Sequence, residues 1–411
     1  MTARDEAGAR AGTPPVELFT RPYLLAIVAV HAYFVSYYMS LVQIPKVLEH
    51  EPDWVVGLVV GMLGIAGMVT RPLVGVWVDA GNRQRWLRIG AAATVVAFAG
   101  YAFDLGPWWA LPLRAVHGIA MGLFTTALLA IVTGLLPPDR RGFGVGVYQT
   151  SNTVAGLYSA ALAIWLISTA SFTAAFMIAA GAAGMALLFG ALVGDPDPPE
   201  AAPAAPRVPL RARRWISTTA LLPAAVFLTV TTPFGAVTTF LPLFADERSL
   251  GNVGFFYTAL ALAQLTARSS SGWLSDRLGR TRVVVPALAV AVLGGIVLAS
   301  AHRQSTLLAA AALYGLGIAG TQTSIVALIV DRTPRGALGS AMATYTMAWD
   351  VGSVIGSVLL GVVAGATSYG TVFALCALFP VLGIALFLGR VRDRPRGTGA
   401  RADESRLAAG G

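Results

Sequence analysis

The sequence predicts an all-α membrane protein with twelve transmembrane helices in two six-helix bundles related by pseudo-symmetry. Three observations support this prediction: an apolar composition, the recurrence of long apolar runs, and a similarity between the two halves of the chain. Of the 411 residues, 56% are hydrophobic and only 12% are charged, and the mean hydropathy is +0.70. Soluble domains carry about 25% charged residues. The composition therefore excludes a disordered chain, a collagen-like repeat and an ordinary soluble enzyme.

Twelve apolar runs, each close to or above the roughly 20 residues that a membrane helix requires, follow one another along the chain. The first 20 residues are polar and the first apolar run is too long for a signal-peptide core, so we expect no cleaved signal. The predicted spans are 21–45, 55–78, 87–106, 109–136, 144–168, 171–193, 216–245, 252–275, 283–301, 306–330, 337–365 and 370–390.

The distribution of basic residues predicts the orientation of these spans. With the N-terminus inside, 23 of the 29 lysines and arginines fall on inside segments, whereas the outside loops carry only Lys46, Arg248 and Arg303. Positive charge concentrates on the cytoplasmic side of membrane proteins, so we expect both termini in the cytoplasm. This topology explains the formal net charge of +9, and we expect no nucleic-acid partner.

A proline-rich loop divides the chain into two halves of six spans each. The loop, residues 194–215, contains six prolines and is expected to be an extended cytoplasmic linker. It separates an N-terminal bundle, 21–193, from a C-terminal bundle, 216–392. A cytoplasmic N-terminal tail, 1–20, and a cytoplasmic C-terminal tail, 393–411, complete the predicted organisation.

The two halves repeat each other with an offset of 197 residues, which holds without a gap over about 100 residues. Matched glycine, proline and charged residues carry more weight here than matched alanine or leucine. They pair Pro45 with Pro242, Arg71 with Arg268, Gly75 with Gly272, Asp79 with Asp276, Arg83 with Arg280, and Pro137 with Pro334. Because six spans return the chain to the same side, the two halves form a parallel repeat.

The most specific motif lies in the loop between the second and third span of each half. The second copy reads Gly-Trp-Leu-Ser-Asp-Arg-Leu-Gly-Arg-Thr-Arg over residues 272–282. It resembles the G-x-x-x-D-R-x-G-R-[RK] signature of the major facilitator superfamily of secondary transporters, and the resemblance covers residues 21–392. The first copy, 75–85, keeps the glycine, the aspartate and two arginines, but has Ala80 and Asn82 where the signature has arginine and glycine.

The resemblance implies that these two loops latch the halves together on the cytoplasmic side. A carboxylate is favoured near a helix N-terminus and a cation near a C-terminus, which suits the charges of the motif. The alternative is that the loops only anchor the protein through their positive charge. The predicted latch residues are Gly75, Asp79, Arg83, Gly272, Asp276, Arg277, Gly279 and Arg280.

A second string, residues 114–122 in the fourth span, is similar to the R-x-x-[QH]-G-x-x-x-[AG] motif of the same family. Its Arg114 has no counterpart in the second half, where Ala311 stands at the matching position. A buried arginine in lipid requires a partner or a wet cavity. The G-P-x-x-G-G string that many drug–proton antiporters of the family carry in span five is missing, since residues 152–159 contain no proline.

The resemblance also implies that the first, fourth, seventh and tenth spans line a central substrate cavity. Polar residues at helical spacing support this in each of the four spans. An alternative exists for each residue, since serine and threonine often bond their own backbone and tyrosine is common at membrane interfaces. The predicted cavity residues are His31, Tyr33, Tyr37, Arg114, His117, Thr238, Tyr314 and Gln322. Their aromatic and sparsely polar mixture suits an amphiphilic organic molecule.

Asp350 is the only acidic residue near the middle of a predicted span, about 13 residues into the eleventh. Arg114 and Arg71 reach a comparable depth, so either of them could neutralise it. A carboxylate that loses its cationic partner in lipid is expected to take up a proton. Asp350, Arg114 and Arg71 are therefore predicted to couple transport to protons. The alternative is a permanent ion pair that only holds the spans together.

The sequence thus favours a secondary transporter that moves a small organic molecule across the cytoplasmic membrane by alternating access, as proton-coupled efflux. Its partners would be that substrate, the proton and the lipid bilayer, and we expect a monomer. The first alternative is a proton-coupled importer of a sugar or an organic acid, and the second is a membrane sensor without transport. The chain has no phosphate-binding G-x-x-x-x-G-K-[ST] string, one cysteine and four scattered histidines, so we expect no enzyme, metal site or cofactor.

Overall fold

The computed structural model describes residues 19–79, 82–103, 106–136, 141–194, 217–333 and 338–391. Within these ranges the chain is helical with short turns and contains no β-strand. The predicted linker and the two predicted tails lie almost wholly outside them. The division of the chain into two bundles at that linker therefore stays a prediction.

Twelve helical spans follow one another in the described part of the chain, which confirms the predicted all-α architecture. The first ten are single helices: α1 (Arg21–Val47), α2 (Asp53–Asp79), α3 (Arg83–Tyr101), α4 (Pro107–Leu135), α5 (Arg141–Thr169), α6 (Phe172–Leu192), α7 (Thr218–Glu247), α8 (Gly254–Leu278), α9 (Thr281–Ala299) and α10 (Gln304–Arg332). The eleventh span comprises α11 (Leu338–Val354), a π-helical turn (Ile355–Leu359) and α12 (Leu360–Ala366). The twelfth comprises α13 (Tyr369–Cys376), α14 (Leu378–Leu386) and a second π-helical turn (Phe387–Val391).

Ten of the described spans are long and apolar enough to cross a membrane. The other two, α3 and α8, are more polar: α3 begins with Arg83, Arg85 and Arg88, and α8 contains Arg268 within a serine-rich segment. Helix α3 packs against α4 and α6, and α8 packs against α10 and α5. Part of the surface of both helices is therefore buried against protein, where polar side chains can find partners.

Local sequence explains where several helices begin. Pro22 and Pro107 stand in the first turn of α1 and α4, where the missing N–H has no helical partner to lose. Ser171 caps α6 by accepting a 3.0 Å hydrogen bond from the backbone N–H of Ala174. These residues fix the entry points of spans whose long apolar sequences could otherwise begin at several positions.

Helix contacts divide the spans into two groups that meet along two seams. In the first group α4 packs against α2 and α3, and α1 packs against α5 and α6. In the second group α10 packs against α8 and α9, and α7 packs against α11. One seam joins α2 to the eleventh span, the other joins α5 to α8, and α1 also contacts α7.

The first seam is tight at the end predicted to be extracellular and widens toward the other end. A Cβ atom added to Gly57 would overlap the backbone carbonyl of Ser357 in the eleventh span. At Gly61 the nearest atom of the eleventh span would be 2.7 Å away, and at Gly64 it would be 3.0 Å away. The clearance between α2 and the eleventh span therefore increases from Gly57 to Gly64.

The second seam is also closed at its predicted extracellular end. A Cβ atom on Gly254, the first residue of α8, would overlap the backbone of Ala161 in α5. One turn further along α8, the Thr258 hydroxyl donates a hydrogen bond to the carbonyl oxygen of Leu157. Both contacts hold α5 and α8 together near the start of α8.

Two polar pairs join the halves at the same membrane side. Lys46 Nζ, near the end of α1, lies 2.6 Å from Asp246 Oδ2, near the end of α7. The Tyr369 hydroxyl donates a 2.7 Å hydrogen bond to Asp53 Oδ1 at the start of α2. The described residues thus hold the two halves together at the ends predicted to be extracellular.

Candidate functional site

A small cavity of about 50 Å³ lies between the two halves, near the middle of the spans. We call it the central cavity, and its polar lining consists of Tyr37, Arg71, Arg114, Thr238, Asp350, Ser353 and Ser357. Phe234 and Trp349 add aromatic surface. Sites for drug-sized ligands typically hold roughly 300–1,000 Å³. The central cavity can therefore admit a small group in this conformation, and a whole amphiphilic molecule only if the seams move.

An ion pair crosses the first seam at the central cavity. Arg71 Nε on α2 lies 2.6 Å from Asp350 Oδ2 on α11, and Arg71 Nη2 donates a 3.1 Å hydrogen bond to Asp350 Oδ1. The Asp350 side chain is 6% exposed and that of Arg71 is 26% exposed. Of the two arginines that could neutralise Asp350, Arg71 therefore forms the pair in this conformation. The pair stands where the two helices begin to diverge.

The internal repeat places a second, neutral version of this contact at the other seam. Arg268 Nη1 on α8 donates a 3.0 Å hydrogen bond to Thr153 Oγ1 on α5. Arg268 is the repeat counterpart of Arg71, and Thr153 stands 197 residues before Asp350, so both partners are related by the same offset. The two seams thus carry pseudo-symmetric arginine contacts, of which one is an ion pair and the other is a hydrogen bond from a guanidinium to a neutral hydroxyl.

Arg114 also lines the central cavity, but it has few partners. The residue is 1% exposed, and its Nη1 donates a long 3.3 Å hydrogen bond to Ser40 Oγ on α1. Its Nε is buried without a hydrogen-bond partner. Among the described residues it forms no ion pair within 4.0 Å. The central cavity therefore contains a cation that its own lining does not neutralise.

Two predicted cavity residues of α1 lie between helices instead. The His31 ring nitrogen Nε2 is 2.7 Å from the Tyr158 hydroxyl of α5. Tyr33 is fully buried, stacks on Phe124 with ring centroids 4.1 Å apart, and shares a 3.1 Å hydrogen bond with Thr94. Both side chains join helices of the first half and do not line the central cavity in this conformation.

Three further predicted residues also lie away from the central cavity. His117 is fully buried, and its ring centroid is 5.0 Å from that of Phe98 on α3. Tyr314, its repeat counterpart, donates a 2.9 Å hydrogen bond to the carbonyl of Val230 on α7. Gln322 accepts a 3.3 Å hydrogen bond from Arg268. Tyr37, Arg114 and Thr238 are thus the predicted cavity residues that the structure brings together, and a substrate role for all eight stays a prediction.

The predicted latch loops are described in part. The side chains of Gly75, Asp79 and Asp276 lie outside the described set. In the second loop, Arg280 Nη2 lies 2.9 Å from Asp331 Oδ2 on α10, and Arg277 stacks over the ring of Trp273 at 4.1 Å. These contacts stay within the second half. A latch between the halves therefore remains a prediction.

The structure gives a physical reason for one departure of the first loop from the signature. Gly279 ends α8 with φ at +89°, a backbone conformation that glycine adopts at little cost. Asn82, at the matching position of the first loop, has φ at +60°. Asparagine tolerates this left-handed conformation better than most residues. Both loops therefore turn at a residue with positive φ, just before Arg83 and Arg280, although ψ differs, at 44° for Asn82 and 154° for Gly279.

Sequence reasoning missed several residues of the central cavity and its seams. Phe234 and Trp349 line the central cavity, and Thr153 forms the neutral seam contact. The repeat offset could have identified Thr153, since Asp350 stands at the matching position. Phe234 stands one turn before Thr238, so helical spacing places it on the face of the seventh span that is predicted to line the cavity. No signal in a single sequence marks Trp349, because aromatic residues are common throughout apolar spans.

The comparisons with known proteins agree with this fold. The sequence model of the Major Facilitator Superfamily matches residues 24–300 and 249–409. The chain is 24% identical to the Staphylopine export protein of Staphylococcus aureus, over 83% of this chain and 88% of that protein. It is 22% identical to the Multi-drug resistance efflux pump PmrA of Streptococcus pneumoniae, over 79% of this chain and 84% of that protein.

Among solved structures, the chain resembles a bacterial homologue of the human lysosomal transporter Spinster, in an inward-facing and unoccupied conformation. The TM-score is 0.75 at 14% identity, over 92% of this chain and 97% of that one. At this identity the likeness shows the fold alone. Together with the family match, it shows that the protein is a multi-pass, membrane-embedded chain that belongs to the major facilitator superfamily of transporters.

Proposed function

We propose that this protein is a secondary active transporter that exports a small organic molecule through the cytoplasmic membrane by proton-coupled alternating access. The Arg71–Asp350 pair is the observation that carries the proposal. It places an ionisable carboxylate at mid-membrane, beside the central cavity and on a seam between the two halves. A group that can be paired in one conformation and protonated in another can link proton movement to rearrangement of that seam.

The shape of the seams supports alternating access. The halves touch closely at Gly57 and Gly254, and the clearance between α2 and the eleventh span increases from Gly57 to Gly64. This supports a central cavity that opens at one membrane side while the other is closed. With both termini in the cytoplasm, as the basic loops predict, this conformation faces inward. The bundles 21–193 and 216–392 would then rock about the central cavity as a monomer in the bilayer.

Export is favoured over import by the relatives, since two of them are named for export or efflux. An importer of a sugar or an organic acid stays the alternative. The aromatic residues Tyr37, Phe234 and Trp349 give the central cavity a mainly apolar lining. Such a lining suits an amphiphilic molecule better than a sugar, whose hydroxyl groups require many hydrogen-bond partners.

The experiment combines binding with transport. Compounds that raise the melting temperature of the purified protein are taken as ligands, since binding to the folded state stabilises it by mass action. Each ligand is then applied to liposomes that contain the protein and a pH-sensitive dye. The proposal predicts that ligand movement is accompanied by proton movement in the opposite direction. A ligand that crosses without any proton movement contradicts proton coupling, and a ligand that binds but never crosses contradicts transport.

A further inference from the structure

The Arg114 side chain is the least satisfied charged group in the described part of the molecule. A guanidinium group has five N–H donors. One of them reaches Ser40 Oγ at 3.3 Å and another interacts with the Tyr101 hydroxyl, while the Nε is buried without a partner. With 1% of the residue exposed, bulk water satisfies few of the remaining donors. Part of the hydrogen-bonding capacity of Arg114 is therefore open to a bound group.

The neighbouring polar groups add to this unused capacity. Gln43 lies on α1 one turn beyond Ser40, on the same side of the helix, and is fully buried with neither amide atom bonded. The Tyr101 hydroxyl on α3 is a neutral hydrogen-bonding neighbour of Arg114. Buried polar groups in proteins are nearly always hydrogen-bonded, so the unpaired Gln43 amide and the Arg114 Nε are groups that a bound molecule could satisfy.

The charge of the central cavity indicates the sign of that partner. The lining carries Arg71, Arg114 and Asp350 as its charged residues. Asp350 is already paired with Arg71 at 2.6 Å, which leaves the positive charge of Arg114 uncompensated. A buried charge is stable when it is paired, and a guanidinium matches a carboxylate through two parallel hydrogen bonds. An anion would complete this balance, whereas a cation would meet an excess of positive charge.

We propose that Arg114 binds a carboxylate group of the substrate, so that the transported molecule is an amphiphilic organic anion. This inference rests on the proposed function and narrows its substrate class. The cavity volume of about 50 Å³ lies well below that of sites for drug-sized ligands, so in this conformation it admits only a small part of such a molecule. The apolar part of the substrate enters as the seam between α2 and the eleventh span widens, and it then contacts Tyr37, Phe234 and Trp349.

The test uses three probes that share one shape and differ in charge: 2-naphthoate, the neutral 2-naphthamide, and the cationic 2-naphthamidine. Their dissociation constants are measured by thermal stabilisation of the full-length protein in detergent. We expect 2-naphthoate to bind at least about 10-fold more tightly than the other two. In Arg114→Gln its affinity falls by about 10- to 100-fold, while the affinity for 2-naphthamide stays the same. Arg114→Lys keeps the positive charge but lacks the forked pair of guanidinium donors, so it should bind 2-naphthoate more tightly than Arg114→Gln and more weakly than the wild-type protein.

Two controls keep the inference open to contradiction. Arg268→Gln removes the other mid-membrane arginine that bonds neutral partners. Because it acts on the seam between α5 and α8, it is expected to change the affinity for all three probes by the same factor and to keep the preference for 2-naphthoate. Loss of the preference for 2-naphthoate in Arg268→Gln but not in Arg114→Gln would place the anion elsewhere. If Arg114→Gln does not fold, the wild-type protein alone still decides the charge preference. Equal binding of the three probes, a preference for 2-naphthamidine, or binding of none would overturn the anion subsite while transport of another molecule still stood.

Discussion

Replacement of Thr153 by aspartate should convert the neutral contact of the α5–α8 seam into a second ion pair. Arg268 Nη1 already lies 3.0 Å from Thr153 Oγ1, so a carboxylate at this position needs only a small adjustment to reach the guanidinium. The pseudo-symmetric Arg71–Asp350 pair shows the geometry that an aspartate attains there, with contacts of 2.6 and 3.1 Å. If the seam contacts break during transport, the new pair should stabilise the conformation described above.

The size of the effect follows from the charge that aspartate adds. The Arg268–Thr153 hydrogen bond already has one charged partner, so the gain is that of turning it into an ion pair, about 0.2–1 kcal/mol for a partly exposed pair. A gain of about 1 kcal/mol corresponds to a shift of about fivefold in the population of this conformation, because about 1.4 kcal/mol is a factor of ten. Transport should slow accordingly, since the protein leaves this conformation less often.

Spin labels provide the assay. Leu129 on α4 and Val330 on α10 are 37% and 46% exposed and lie near the predicted cytoplasmic ends of repeat-related helices. With Cys376 replaced by serine, double electron–electron resonance between labels at these two sites reports the separation of the halves. Thr153→Asn is the matched control, since it has nearly the shape of aspartate without the charge. Equal distance distributions in the two variants, or a shift toward shorter distances in Thr153→Asp, would refute the reasoning.

The tight part of each seam yields two further predictions. Gly57→Ala places a Cβ atom on the Ser357 carbonyl and should disfavour the closed predicted extracellular end by about 1–3 kcal/mol, shortening the distance between the two labels. Gly146→Ala, whose Cβ would have no atom within 4 Å, is its control. An equal effect of both variants would contradict the claim that the close contact at Gly57 stabilises the closed end. Asp246→Asn removes the ion pair with Lys46, whose side chains are 18% and 42% exposed for Lys46 and Asp246. The populations of the two conformations should therefore change less than about fivefold, and less still at high salt. A larger change would mean that this ion pair is the main contact that keeps the predicted extracellular end closed.

The number and order of the spans could be predicted because the bilayer imposes a simple requirement of length and composition. The repeat offset paired Arg71 with Arg268, but it did not by itself predict that Arg268 bonds Thr153 across the second seam. Only Arg71 and Arg114 were considered as partners of Asp350, because both are predicted to lie at a comparable depth in their spans. The choice between them depends on how α2 and α4 are rotated about their axes, which a single sequence does not specify.

The direction in which individual side chains face was harder to predict than the number and order of the spans. His31 and Tyr33 share α1 with Tyr37, yet only Tyr37 lines the central cavity. Several helices surround α1, so polar residues on more than one of its faces find partners in protein. His31 bonds Tyr158 and Tyr33 bonds Thr94, both in neighbouring helices of the same half. Polarity at helical spacing therefore identified a protein-facing helix without identifying the face that lines the central cavity.

The most direct test of proton coupling through Asp350 measures the Leu129–Val330 label distance as a function of pH. Protonation of Asp350 should break its pair with Arg71, so the wild-type protein is expected to leave this conformation as the pH falls. In Asp350→Asn the pair is absent at every pH, and the distance distribution should no longer depend on pH. A pH-dependent shift that persists in Asp350→Asn, or a wild-type distribution that does not change with pH, would contradict the account and move the search to His31 and His117.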